Sequence, residues 1–231
     1  MAGRLAVPLE SAKSLEVWDI PVRVFHWFLV AFIVWQWASA ATGGNLMEYH
    51  LLGGYAILTL LLFRLVWGMV GSHTARFTAF VRGPRATLAY LRAVKAGSAP
   101  PSVGHNPAGG WMVLALLAGL LAQAGLGLFA TDDIMTSGPL AGRVPDAVSE
   151  LLSSLHSGFF YVLLGLMALH VAAILYYRFA KGENLVTAMV TGKAAHAADT
   201  PQPKKVSPWL ALLSLAVIGA AVAALILLAG R

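Results

Sequence analysis

The stretch PVRVFHWFLVAFIVWQWASAA, residues 21–41, is an apolar run long enough to cross a membrane, with one histidine near its start. A spanning helix needs about 20 mostly apolar residues. Four further windows meet that requirement, so the sequence predicts five spans, at 24–41, 50–71, 110–130, 156–177 and 209–230. The predicted fold class is therefore an all-α integral membrane protein.

The composition supports this class and narrows the possible chemistry. Of the 231 residues, 58% are hydrophobic and only 11% are charged, whereas soluble domains carry about 25% charged residues. The net charge of +6 comes from basic residues confined to particular loops, which does not indicate a nucleic-acid interface. The absence of cysteine excludes disulfides, thiolate-bound iron–sulfur clusters and covalently attached c-type haem. Histidine is then the leading candidate ligand for a transition metal.

The distribution of lysine and arginine predicts how the chain lies in the membrane. The N-terminal segment and the second and fourth loops carry most of these residues, while the first loop has none and the third has only Arg143. Because basic loops stay in the cytoplasm, we expect a cytoplasmic N-terminus and a periplasmic C-terminus in a bacterial inner membrane. Residues 1–15 lack the pattern of a cleaved signal peptide and are predicted to be a cytoplasmic lead-in.

Four histidines fall at two depths of the predicted spans. His26 starts the first span on the cytoplasmic side, whereas His50 and His156 open the second and fourth spans on the outer side. His170 follows His156 by 14 residues, which is about 21 Å of helix rise and nearly a whole number of turns. The sequence therefore predicts two levels: His26 with His170, and His50 with His156.

Each histidine alone could cap a helix end, but four that pair by depth favour a shared cofactor, because ionisable groups inside spans are costly. A zinc or di-iron site would also need acids or cysteines, and the five windows contain none. A haem iron needs only two axial imidazoles from the protein, since the porphyrin supplies four nitrogens. Several glycines could admit a flat ring, or could simply allow close helix packing: Gly53, Gly54, Gly125, Gly127, Gly158 and Gly165.

Arg64, in LLLFRLVWG, is the one charge deep in an apolar run, 14 residues after His50. It could extend its side chain to the cytoplasmic interface, or it could form an ion pair with a propionate of the inner haem. Arg23 is a weaker candidate for the same role.

The remaining histidines are predicted to be solvent-facing loop residues: His73, His105 and His196. Asn106 is predicted to cap the third span, with Pro107 at the first helical position.

Five stretches resemble the prokaryotic cytochrome b561 family, in its branch of cytochrome b subunits of nickel–iron hydrogenase type: VWDIPVRVFHWFLV, HLLGGY, FRLVWGMVGSHTARF, GHNPAGGWMVLALL and LHSGFFYVLLGLMALHVAAI. The resemblance covers roughly residues 16–192. It implies a four-helix bundle that binds two b haems through histidines of the first, second and fourth helices, which match His26, His50, His156 and His170. Residues 193–231 would be a linker and a fifth span, an anchor or partner-contact helix.

The resemblance further implies electron transfer between membrane quinone and a redox partner, such as a cytochrome c or a dehydrogenase or hydrogenase subunit. Two alternatives stay open: a haem-bearing anchor subunit of a larger complex, and an oxidoreductase acting alone on superoxide or quinone. A cofactor-free channel is disfavoured, because the polar intramembrane groups pair by level. Whether the chain is itself an enzyme is left open. The outer loop could steer a basic partner, or be an ordinary solvated loop, through its acids Asp132, Asp133, Asp146 and Glu150.

Overall fold

A computed structural model of the protein describes residues 12–132 and 136–229. In chain order its elements are β1 (Ala12–Glu16), α1 (Ile20–Thr42), α2 (Leu46–Val70), α3 (Phe77–Phe80), α4 (Pro84–Lys95), α5 (Pro107–Gly127), α6 (Asp146–Tyr176), α7 (Leu185–Thr191), β2 (Lys193–Ala197) and α8 (Pro208–Ala229). Five helices, namely α1, α2, α5, α6 and α8, are long and apolar enough to cross a membrane. The predicted all-α membrane fold is confirmed.

Side-chain caps fix where two of these helices begin. Asp19 Oδ1 accepts a hydrogen bond from the Val22 backbone N–H at 2.9 Å, with a proline in the first turn of α1. Asn106 caps α5 in the same way, since its Oδ1 accepts from the Gly109 N–H at 2.8 Å, and Pro107 is the first helical residue. The predicted Asn106 cap is confirmed, because an N-terminal N–H needs a partner outside the helix.

The membrane helices begin earlier than the hydropathy windows predicted. The largest difference is in α6, which starts at Asp146, whereas the sequence placed the span start at His156. Two acids of the predicted outer loop, Asp146 and Glu150, therefore belong to the first turns of this helix. The prediction was wrong here because a polar first turn lowers local hydropathy without disturbing helical geometry. Asp133, in the same predicted loop, lies outside the described residues.

The helix α2 lies at the centre of the bundle. It packs against α1, α5 and α8, while α5 packs in turn against α6. Fully buried side chains fill these contacts, with Leu61 and Trp67 of α2 at 0% exposure and Leu163 of α6 at 1%. Large apolar side chains point outward from the other helices, among them Tyr161 and Leu227. Such outward apolar surface suits lipid, where helices satisfy their own backbone hydrogen bonds.

The two ends of the bundle differ in charge. The end formed by β1, residues 71–106, α7, β2 and residues 193–207, here called the basic end, holds most of the lysines and arginines. At the opposite end, here called the far end, Arg143 is the one basic residue within the described ranges. The predicted second loop lies at the basic end and contains the short helices α3 and α4.

A two-stranded ribbon closes the basic end. The strands β1 and β2 pair antiparallel, with Leu15 opposite Ala194, in segments that the sequence interpreted as the end of a lead-in and the start of a linker. Gly192 precedes β2 with a φ of 82°, and its carbonyl accepts hydrogen bonds from the N–H groups of Val17 and Trp18. A Cβ on Gly192 would lie 2.8 Å from the Trp18 carbonyl oxygen, so both backbone angle and space require glycine.

Beyond the ribbon, the chain crosses the bundle once more in α8. The segment before it is held at the basic end, because the Val206 N–H donates to Ser72 Oγ at 3.1 Å. At the far end, Arg143 donates to the carbonyl oxygen of Leu228 at 3.3 Å. The helix α8 thus runs antiparallel to α2 along its length.

Candidate functional site

At the far end, α2 and α6 bring two imidazoles together. The ring centroids of His50 and His156 are 6.2 Å apart, and the rings are nearly perpendicular at 85°. His50 Nδ1 lies 3.1 Å from the Gln36 carbonyl oxygen, and His156 Nδ1 lies 2.9 Å from the Gln123 carbonyl oxygen. Because a carbonyl can only accept, both Nδ1 atoms donate. The Nε2 atom of each ring is then the unprotonated one that can bind a metal.

The two rings lie close enough for both to bind one metal or cofactor, because their centroids are 6.2 Å apart and a bond from a metal to an imidazole nitrogen is about 2 Å long. His50 and His156 would therefore be able to hold one metal centre together.

At the basic end, the corresponding histidines are His26 on α1 and His170 on α6. Both are half-buried, and they lie within electrostatic range of each other. The His26 ring meets Trp27 edge-on at 5.0 Å, and its Nδ1 is buried without a hydrogen-bond partner. Both predicted levels therefore contain two imidazoles from different helices.

Within the described ranges, no three or more His, Asp or Glu side chains converge as ligands for a bare metal ion. Each level instead offers two imidazoles. A metal that arrives in its own ring of four nitrogens needs only those two.

Arg64 lies one turn from Trp67 on α2 and is only 3% exposed, so it does not reach solvent. Its guanidinium lies over the Phe77 ring, 5.0 Å from the ring centroid, and is attracted electrostatically by Asp19. Asp19 is already engaged, because its Oδ2 accepts from Trp67 Nε1 at 3.0 Å. Arg64 Nη1 is buried without a hydrogen-bond partner. Arg64 thus extends toward the basic end but is covered there by protein, and its role toward a propionate stays a prediction.

Arg23 has a different setting. Its Nη2 donates to the Val190 carbonyl oxygen and so ties α1 to α7, while its Nε is buried without a partner.

Comparison with models of known protein families identifies the family to which the chain belongs. The model for prokaryotic cytochrome b561 matches residues 17–192. The chain belongs to this family. No curated protein and no solved structure gives a significant match. As a prokaryotic cytochrome b561, the chain is a multi-pass bacterial membrane protein that binds haem b and transfers electrons.

Unpartnered buried polar atoms test whether this cytochrome's interior suits haem. At the basic end they are nitrogens of basic side chains: Arg23 Nε, His26 Nδ1, Arg64 Nη1, Arg76 Nε and His105 Nδ1. At the far end they are amide oxygens, of Gln36 and Gln123. Because buried polar groups normally have partners, the basic-end set fits a ligand that brings anionic oxygens. Haem, with two propionate carboxylates, is such a ligand, so the residues fit the group.

The glycines of the cytochrome divide into two sets. A Cβ on Gly53 would lie 2.5 Å from Gln36 Oε1, and one on Gly54 would lie 3.4 Å from Gln36 Nε2. Gly53 therefore makes room for Gln36 of α1, whereas Gly54 packs against the same side chain at an ordinary contact distance. Gly127 lies against His156, where a Cβ would meet the ring Cε1 at 2.9 Å. A Cβ would meet nothing within 4 Å at the other three predicted positions, Gly125, Gly158 and Gly165.

His105 is not the solvent-facing residue that the sequence predicted. Its ring packs against Trp18 and Phe80, 4.6 Å from each ring centroid. Burial and the charge of Arg64, followed by His170 and His26, lower the pKa of His105 to about 3. The prediction was wrong because the loop before α5 folds inward over the basic end. His73 is exposed as expected, whereas His196 is half-buried in β2.

Three residues of this region were missed by sequence reasoning. Gln36 and Gln123 are single amide residues in apolar runs, and their backbone carbonyl oxygens accept hydrogen bonds from the far-end histidines. Asp19, before Ile-Pro, partners Trp67 and Arg64. Isolated polar residues in a membrane helix and an Asp before an early proline were the signals that could have found them.

Proposed function

We propose that this cytochrome holds two b haems and transfers electrons between the two faces of the membrane. The observation that carries the proposal is the pairing of imidazoles at two levels, clearest in the 6.2 Å spacing of His50 and His156. His50 and His156 would hold the haem at the far end, and His26 and His170 the haem at the basic end. Bound haem would supply a reversible one-electron couple.

The helix α6 sets the distance between the two levels. His156 and His170 stand 14 residues apart on one uninterrupted helix, which corresponds to about 21 Å along its axis. The backbone carbonyls of Gln36 and Gln123 orient the far-end rings. Such second-shell hydrogen bonds fix ring orientation and raise ligand basicity.

Two arginines would bind propionates at the basic end. Arg64 is the stronger candidate, because it is buried and its Nη1 lacks a partner. Asp19 offsets its charge in the protein alone, which allows the guanidinium to be buried before a cofactor arrives. Arg23 would act in the same role through its unpartnered Nε. Gly53 and Gly54 would contribute indirectly, by packing against Gln36 beside the far-end site.

The basic end would face the cytoplasm of a bacterial inner membrane. The support is the strong excess of Lys and Arg at that end, which follows the positive-inside rule. The N-terminus would then be cytoplasmic and the C-terminus periplasmic.

The redox partners would be a membrane quinone and a protein at the periplasmic face. Asp146 and Glu150, on the first turns of α6, offer negative charge at the far end. That charge could steer a basic partner such as a cytochrome c. A dehydrogenase or hydrogenase subunit is the other partner class. It would contact α8, whose outward apolar residues Trp209 and Leu213 would face either that membrane subunit or lipid.

Single-ligand variants test the proposal. We expect His156→Ala to lose the far-end haem and His170→Ala to lose the basic-end haem, each variant keeping one haem per chain with a different midpoint potential. Pyridine haemochrome quantitation and a redox titration measure both. His73→Ala, at an exposed histidine, is the matched control and should keep two haems. Full haem retention in both ligand variants would overturn the pairing.

A further inference from the structure

We propose that His105 is a cofactor-binding residue of the basic-end site, where its imidazole and Arg64 together bind a carboxylate of the cofactor. The inference rests on the proposed function. It concerns a residue that the sequence assigned to solvent.

The first support is the way His105 is held. Trp18 and Phe80 both pack against its ring, each with a centroid separation of 4.6 Å, which restrains the imidazole. Gly104, with a φ of 86°, lies against Trp18 and Thr74, which brings the loop inward at this point. These two aromatic contacts and the tight turn restrain His105 more than a solvent-exposed loop residue would be restrained.

The second support is what His105 lacks. Its Nδ1 is buried and has no hydrogen-bond partner. Leaving a buried donor or acceptor unpaired is destabilising, so a partner from outside the chain is expected. Because burial lowers the pKa of His105 to about 3, the ring is neutral at physiological pH and carries one N–H to donate.

The third support is that a neighbouring residue, Arg64, also has a buried nitrogen without a hydrogen-bond partner. Arg64 is 3% exposed and its Nη1 is also unpaired. Phe77 and Phe80 connect the two residues, since Arg64 lies over Phe77 and the two phenyl rings meet at 5.8 Å. Its charge acts on His105 more strongly than His170 or His26 does. A guanidinium and an imidazole N–H that lie near each other and both lack partners suit a carboxylate, which accepts several charge-assisted bonds.

Such a contact would tune the cofactor's redox potential. A hydrogen bond from His105 partly offsets the negative charge of the carboxylate. Without that bond the anionic charge near the iron is stronger, which favours the oxidised form. Hydrogen bonding around a cofactor is one of the protein's means of setting its potential.

The experiment is a redox titration of His105→Phe in the full-length protein. Phenylalanine keeps an aromatic ring against Trp18 and Phe80 but cannot donate. We expect the variant to keep both haems and to lower the reduced-to-oxidised ratio of the basic-end haem about tenfold at fixed poise, a shift of about 59 mV for one electron. The far-end haem should not shift. His105→Gln, whose amide can donate, should restore most of the potential, and His73→Phe is the control.

The outcomes separate the two proposals. Unchanged potentials in His105→Phe, with both haems bound, overturn the role of His105 and leave the proposed function intact. A wild-type protein without a second haem, or a His170→Ala variant that keeps both, overturns the proposed function itself. If His105→Phe does not accumulate, His105→Met removes the donor with a flexible apolar side chain, and the same shift is expected. A normal potential in that variant overturns the inference.

Discussion

A single methyl group added beside His156 should selectively weaken the far-end site. Gly127 ends α5, and a Cβ there would lie 2.9 Å from Cε1 and 3.2 Å from Nδ1 of the His156 ring. Ordinary van der Waals contact begins at 3.4 Å, so in Gly127→Ala the ring must move by about half an ångström. Metal–ligand distances tolerate only about 0.2 Å, which makes the ring position decisive.

The expected cost follows from overpacking. Forcing an extra group into a packed site costs about 1–3 kcal/mol, which corresponds to roughly 5- to 150-fold in an equilibrium constant. We expect Gly127→Ala to lower far-end haem affinity by that factor, while the basic-end haem stays bound. Titration of the haem-depleted protein with hemin, followed by visible spectroscopy, measures both affinities.

The same helix supplies the control. Gly125→Ala makes the same chemical change two residues away, where a Cβ meets nothing within 4 Å. It should leave both sites unchanged. Equal affinities in Gly127→Ala and Gly125→Ala would refute the argument that His156 needs this glycine to hold its position.

Three further predictions concern packing, the buried polar group and the partner. Leu163 is 1% exposed, so Leu163→Ala should lower the free energy of unfolding by about 2–5 kcal/mol, whereas the outward-facing Leu164→Ala should lower it far less. Denaturation in mild detergent compares the two variants, and equal losses would contradict the buried packing of α6. Trp67→Phe leaves Asp19 Oδ2 without its donor and should cost about 1–3 kcal/mol in the same assay, against little for exposed Trp209→Phe. Replacing both Asp146 and Glu150 with alanine should slow reduction by a basic cytochrome c severalfold at low salt and not at high salt. Equal stopped-flow rates for the variant and the wild type at low salt would contradict the steering role.

Much of the fold could be predicted because membrane helices are recognised as long segments of high hydropathy. The five spans and the Asn106 cap needed only local information, and the structure confirms them. The shared level of His50 and His156 needed only helix rise and direction, and their rings are indeed neighbours. Their role as haem ligands stays a prediction.

The missed features depend on contacts between distant parts of the chain. The ribbon joins Leu15 to Ala194, and no local pattern connects residues so far apart. His105 is half-buried, with its Nδ1 out of contact with solvent, only because Trp18 and Phe80 pack against it. The start of α6 was missed for the opposite reason, since its first turns are helical but too polar for a hydropathy window.

The most direct test of the central claim is the amount of haem b in the purified protein, measured as pyridine haemochrome per chain and combined with a redox titration. The two-level arrangement of His26 with His170 and His50 with His156 predicts two low-spin b haems per chain, each with its own one-electron midpoint. One haem per chain would contradict the two-level account. No haem would contradict the assignment of all four histidines.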